Sequence, residues 1–125
     1  MSDFKKLRVW QKARELANAV YAATNSFPRV EEFRLTNQMR RAAISIGCNI
    51  AEGCGRESEA DKARFVRIAS GSLSELEFQI VIATDQGFLS QPLASELASR
   101  VEELGRMLGA LNNSIKKGIA AAAGQ

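Results

Sequence analysis

Histidine is absent from the 125 residues. The absence removes the side chain most often used as a general base near neutral pH, and the commonest metal ligand. Ser-His-Asp and Cys-His arrangements are therefore impossible within the chain. Cysteine occurs twice, at Cys48 and Cys54, in neither a C-x-x-C pair nor a disulfide framework. On a helix these thiols stand about 1.7 turns apart and point to different faces, and two reduced thiols fit a cytosolic protein. Proline is confined to Pro28 and Pro92, and β-branched runs are missing. Aromatics make up only 6% of the chain, too few to interleave with cations as single-strand stacking platforms require. No apolar run is long enough to span a bilayer, and the polar, charged N-terminus reads against a secretory signal. The expectation is a cytoplasmic chain with no membrane contact, no cofactor, no metal and no catalytic residue.

What is present favours helix. Ala, Leu, Glu, Lys, Arg and Gln dominate, and these side chains lose little rotamer freedom in helical backbone. Over residues 4–26, Val9, Ala13, Leu16, Val20, Ala23 and Phe27 recur at steps of four and three, the stripe of an amphipathic helix. Trp10, Ala17 and Tyr21 widen it as packing residues, and Phe27-Pro28 ends it. A second helix over residues 35–52 carries Leu35, Met39, Ala42, Ile46 and Ile50. Beside them runs a small-residue stripe of Ala43, Gly47 and Ala51. It is apolar over most of its circumference, which marks it as the most buried of the four, and Gly53 supplies its stop. Ser58 caps the third helix with Asp61 at N3. Phe65, Ala69, Leu73, Leu76, Ile80 and Ala83 form its inner face, its small run 69–72 is available to oppose the second helix's stripe, and Gly87 ends it. Ser90 caps the fourth, Pro92 sits in its first turn, and Leu93, Leu97, Val101, Leu104, Leu108, Leu111 and Ile115 make its seam.

Four such helices with short connections predict an all-α, up-and-down antiparallel four-helix bundle over residues 1–118. Residues 119–125 form a low-complexity tail expected to fray.

Charge is unevenly spread. Residues 1–67 carry 13 Lys/Arg against 8 Asp/Glu, and residues 68–125 carry 4 against 6. Lys5, Lys6, Arg8 and Lys12, with Arg14, make the first helix basic, and Lys62, Arg64 and Arg67 do the same for the start of the third. Brought together, they would form a backbone-directed, salt-sensitive contact face for nucleic acid; a solvated helical surface is the plain alternative. Arg40 and Arg41 are further candidates, because guanidinium forks match phosphate oxygens. Against that role, Arg41 has Glu52, Glu75 and Glu77 as possible acid partners. Asn49, Glu52, Gly53, Arg56 and Ser58 read as a polar clamp fixing the turn between helices two and three, with Arg56 answering Glu52 at the helix C-terminus.

Several of these blocks carry a resemblance. The opening helix with Leu7, Val9-Trp10 and Ala13, the run 33–53 continuing to Arg56 and Ser58, and the stretch 69–77 resemble the bacterial four-helix bundle proteins, also called 23S rRNA intervening-sequence proteins. The chain departs at Arg34, where that family is expected to carry glycine. The resemblance implies an up-and-down bundle assembling into a ring, commonly a homopentamer. It also implies kinship with the accessory variability determinant of diversity-generating retroelements, which partners a reverse transcriptase and nucleic acid. It implies no enzymatic activity. The functional expectation is a non-enzymatic homo-oligomeric scaffold that binds RNA or DNA through its basic surface. A structural or protein-binding oligomer without nucleic-acid affinity is the alternative. Apolar surface on helix two in excess of what a monomer covers is a separate argument for self-association.

Overall fold

The computed structural model describes residues 3–123. They form α1 (Arg8–Thr24), α2 (Leu35–Cys54), α3 (Glu59–Asp85) and α4 (Gln91–Ala123), with single 3-10 turns at Phe4–Lys6 and Arg29–Glu31.

Pairs of contacts fix the direction of each helix. Arg40 meets Thr24 while Gly47 lies against Ala13, so α1 and α2 run antiparallel. Ser45 meets Ser72 while Gly53 lies against Phe65, which does the same for α2 and α3. Lys12 with Glu103 and Arg100 with Glu15 close the ring between α1 and α4. The molecule is an up-and-down four-helix bundle. Leu16, Val20, Met39, Ile46, Leu76, Leu97, Leu104 and Leu108 fill its centre, all fully buried. Each contributes about 1.5–3 kcal/mol relative to an exposed side chain.

Caps set most of the boundaries. The Ser58 hydroxyl accepts the Asp61 N–H at 3.1 Å, opening α3 as its sequence predicts. Gly87 adopts φ +79 just beyond α3, and the Phe88 N–H turns back to the Ala83 carbonyl. That left-handed terminus favours glycine because it has no Cβ to clash.

Several boundaries and faces depart from the expectation. The first helix is two pieces, because Leu7 is extended (ψ 127) between the 3-10 turn and α1. Its C-terminus lies at Thr24, short of Phe27-Pro28; Phe27 instead folds inward against Phe88, ring centroids 5.5 Å apart. Gly53 does not stop α2. It is buried inside the last turn, and Gly55 follows the helix. The stripe of Ala43, Gly47 and Ala51 does not oppose the small run of α3: the space above Gly47 is closed by Ala13 and Trp10 of α1. Nor is α2 buried all round, since Ile44 and Cys48 are exposed. Leu93 is also exposed, and Ala94 takes its place in the core. Two successive steps of four residues from Leu93 to Val101 drift by about 80° around a helix, which carries Leu93 off the seam. At Arg34 the N-cap side chain makes no capping bond; the Glu31 carboxylate accepts the Leu35 N–H at 3.3 Å instead. α4 runs on through Gly118 to Ala123, with Gly118 seated beside Glu59, so helix extends past the expected edge at 118; residues 124 and 125 lie outside the described residues.

Candidate nucleic-acid interface

The start of α1, the end of α2, the start of α3 and the last turns of α4 meet at one end of the bundle. Leu7, Gly53, Lys62 and Ile115 line a shared cavity of about 220 Å³ there. The close approach of α2 to α3 depends on Gly53, where a Cβ would stand 2.9 Å from the Phe65 Cβ.

Around this crossing the clamp forms, with a membership different from the expected one. Glu52 pairs with Arg56 at 3.1 Å, opposing charges at the α2 terminus. Asp61 then holds both Arg56, at 3.6 Å, and Arg64, at 3.0 Å. The two guanidiniums lie 4.8 and 4.4 Å from the centre of the Phe65 ring, cation–π contacts that help hold them there. Asn49 does not belong to the clamp. Its amide donates to the Ser45 carbonyl at 2.8 Å, and the Ser45 hydroxyl meets Ser72 at 2.9 Å in the middle of the α2–α3 seam. Phe65 is the member that sequence reasoning assigned to the core alone. Its one local signal in the sequence is the adjacent Arg64; the contact with Arg56 comes from the fold of the turn.

The candidate cations separate into three groups. The first is engaged within the fold: Lys12 bridges Glu15 at 3.6 Å and Glu103 at 3.3 Å, Lys62 holds Glu59 at 3.2 Å, and Arg64 holds Asp61. Lys6 reaches Asp3 only at 3.8 Å and stays largely in solvent, a pair of little energetic consequence. The second group is open. Lys5, Arg8 and Arg67 are exposed and have no ion-pair partner among the described residues. Lys116 and Lys117 of α4 join them at the same end and are likewise unpaired. Sequence reasoning passed over these two because they sit in the acidic half of the chain. Only the return of α4, which seats Gly118 against Glu59, carries them to the end of the bundle where α3 begins.

The third group lies elsewhere. Arg40 and Arg41 fall in the first two turns of α2, toward the opposite end. Arg41 is exposed, and none of Glu52, Glu75 and Glu77 pairs with it. Arg40 is docked on the end of α1. Its Nε donates to the Thr24 hydroxyl at 2.9 Å, and its Nη2 donates to the Tyr21 carbonyl at 3.3 Å and the Asn25 side-chain oxygen at 3.1 Å. The guanidinium also lies 4.5 Å from the centre of the Tyr21 ring. A cation on the last carbonyls of a helix satisfies orphan acceptors and complements the dipole. Tyr21 is accordingly exposed, serving as a platform for Arg40. Trp10 is half-buried, as expected of a packing residue, with its ring edge-on to Phe4 at 5.2 Å.

Two thiols on separate faces complete the inventory: Cys48 lines the α1–α2 groove and Cys54 the cavity at the basic end. Among the described residues no group of three Cys, Asp or Glu is placed to hold a metal ion, and no helix is long and apolar enough to cross a membrane.

Among solved structures, the chain is similar to a protein of unknown function from the S23 ribosomal protein family of Bacteroides thetaiotaomicron. The TM-score is 0.75 at 22% identity, covering 83% of this chain and 97% of that one. At that identity the likeness shows the fold. No curated protein matches the chain. The model of the family described as 23S rRNA-intervening sequence protein matches residues 5–110, from the basic turn before α1 to the middle of α4. With the bundle, its tight α2–α3 crossing and that match in hand, the chain belongs to the 23S rRNA-intervening sequence protein family.

Proposed function

We propose that this chain is a non-enzymatic, homo-oligomeric scaffold that binds the phosphate backbone of nucleic acid through the basic end of its bundle. The observation that supports the reading is that Lys5, Arg8, Arg67, Lys116 and Lys117 are exposed and without ion-pair partners among the described residues, in the elements that reach the end of the bundle where Leu7, Lys62 and Ile115 share a cavity. Unpaired surface cations attract phosphates without reading sequence, and the resulting affinity falls steeply with salt. Arg40 has no part in this face, being committed to α1.

Self-association is the second element of the proposal. Phe78, at 66% exposed, and Val81 stand on the α3–α4 side, lining a shallow groove with Ala98 and Val101. On the opposite side, α1 and α2 enclose an apolar groove of about 310 Å³ lined by Trp10, Ala17, Ile44 and Gly47. A protrusion on one side and a groove on the other suit a head-to-tail contact, which closes into a ring when the rotation permits. A homopentamer is the ring size that the family resemblance suggests. A ring would repeat the basic end about its axis and multiply the field.

Fluorescence anisotropy with mixed-sequence single-stranded RNA tests the reading. Binding is expected at low ionic strength, weakened by Lys5→Glu with Arg8→Glu. Undetectable binding at low salt would sink it and favour the protein-binding alternative.

A further inference from the structure

Along α1, beginning at Lys5, runs an open cleft of about 690 Å³ lined by Lys5, Trp10, Gln11, Arg14, Glu15 and Asn18. We infer that this cleft takes one unpaired base of a single-stranded nucleic acid, stacked on the Trp10 indole, with Lys5 and Arg14 holding the flanking phosphates. The inference rests on the nucleic-acid reading and deepens it, because it adds a contact to the base where that reading has contacts to the backbone alone.

The state of the three aromatic rings that have cations nearby points to the indole. Tyr21 carries the Arg40 guanidinium over its ring, and Phe65 carries those of Arg56 and Arg64. Trp10 offers the best π face for a cation and shares its cleft with Lys5 and Arg14, yet among the described residues no cation lies over its ring. Its packing contacts leave stacking open. Phe4 meets the indole at 65° rather than in parallel, and the Nε1 edge lies against Gly47, where a Cβ would stand 3.9 Å away. The ring is thus held in place by its neighbours without being stacked on by any of them. One such ring makes a site for a single base, and the low aromatic content rules out only a continuous platform.

The residues around the indole suit a nucleotide. Trp10, Arg14 and Asn18 follow one another at steps of four, so they share a face of α1. Arg14 is exposed and has no ion pair among the described residues, as is true of Lys5. The two cations therefore stand to either side of Trp10 along the chain, the order that a base with its two flanking phosphates requires. Gln11 fixes the turn that carries Lys5 by donating to the Lys5 carbonyl at 3.2 Å, which leaves its side-chain oxygen unpaired. The Asn18 amide is exposed and without a partner. Amides present both donors and acceptors, so they meet the edge of any base and read none of them strictly. Glu15 also lines the cleft, but Lys12 at 3.6 Å and Arg100 at 3.5 Å offset its charge. A base already stacked and paired in a duplex cannot enter, which selects single strands.

Trp10 is the only tryptophan, so its fluorescence reports on this cleft. The probes are an oligothymidylate and an abasic oligodeoxynucleotide of the same length, which carry the same charge and differ only in the bases. Each is titrated at low ionic strength, with affinity read from the anisotropy of an end label and stacking from the tryptophan emission. The oligothymidylate is expected to bind about tenfold more tightly than the abasic strand, the scale of one stacked base, and to quench the emission. Trp10→Leu, with its fold checked by circular dichroism, is expected to bind both strands equally. Equal affinity of the parent protein for the two strands, or an emission unmoved by the oligothymidylate, overturns the base site while the backbone reading stands. A preference for the oligothymidylate that persists in a folded Trp10→Leu also overturns it. Undetectable binding of both strands overturns the inference and the backbone reading together.

Discussion

Arg40 shows how position decides what a guanidinium does. By composition it is one of 17 Lys/Arg residues available to a polyanion, yet three hydrogen bonds and a ring contact commit it to the end of α1. Arg40→Ala should destabilise the bundle by about 2 kcal/mol, the scale of two or three net hydrogen bonds. Arg40→Lys should recover little of that, because a point charge cannot serve three acceptors in one plane. Urea denaturation monitored by circular dichroism checks both. Gly53 is the opposite kind of residue, important for what it lacks. A methyl group there meets the Phe65 Cβ at 2.9 Å, so Gly53→Ala should cost about 1–3 kcal/mol through overpacking, even though alanine is the better helix former. A gain in stability on that substitution would contradict the close α2–α3 crossing.

At the level of the helices, the apolar stripes were legible because the side-chain period of a helix is fixed and the core repeats it. Leu16, Met39, Leu76 and Leu104 all fall where the three-and-four spacing places them. The Ser58 cap and the Gly87 stop were legible for a local reason: each satisfies backbone groups a few residues away. Ser58→Ala should therefore lower stability by about 1 kcal/mol. Gly87→Ala should do so by a similar amount because of its positive φ. Thermal melts of the two variants give the comparison. What the sequence did not reveal were relations between helices. The partner of the Ala43–Gly47–Ala51 stripe depends on how α2 is rotated, and in the structure Gly47 faces Ala13 and Trp10 while Ser45 meets Ser72. Clamp membership failed at Asn49 for the same reason, since Asn49 belongs to that seam. The break at Leu7 has no strong signal, as leucine continues helices readily.

For the molecule as a whole, the basic end is a product of topology. Lys116 and Lys117 are about fifty residues from Arg67 in the chain, and only the antiparallel return of α4 carries them to the end of the bundle where α3 begins, Gly118 lying against Glu59. The opposing apolar sides belong to the same scale. In the proposed ring, Phe78→Glu should shift the assembly toward monomer without loss of helix, because Phe78 is exposed within one chain. Sedimentation velocity beside circular dichroism separates that outcome from unfolding. The central claim is that the unpaired cations of one end bind nucleic-acid backbone, and the salt dependence of RNA affinity tests it most directly. Plotted as log K against log salt concentration, the parent protein should fall linearly. The slope should shrink by about 0.7 for each of Lys5, Arg8 and Arg67 that is neutralised, as release of counterions from a single strand requires. A slope near zero, or one unaltered in the variant lacking all three charges, would contradict the account.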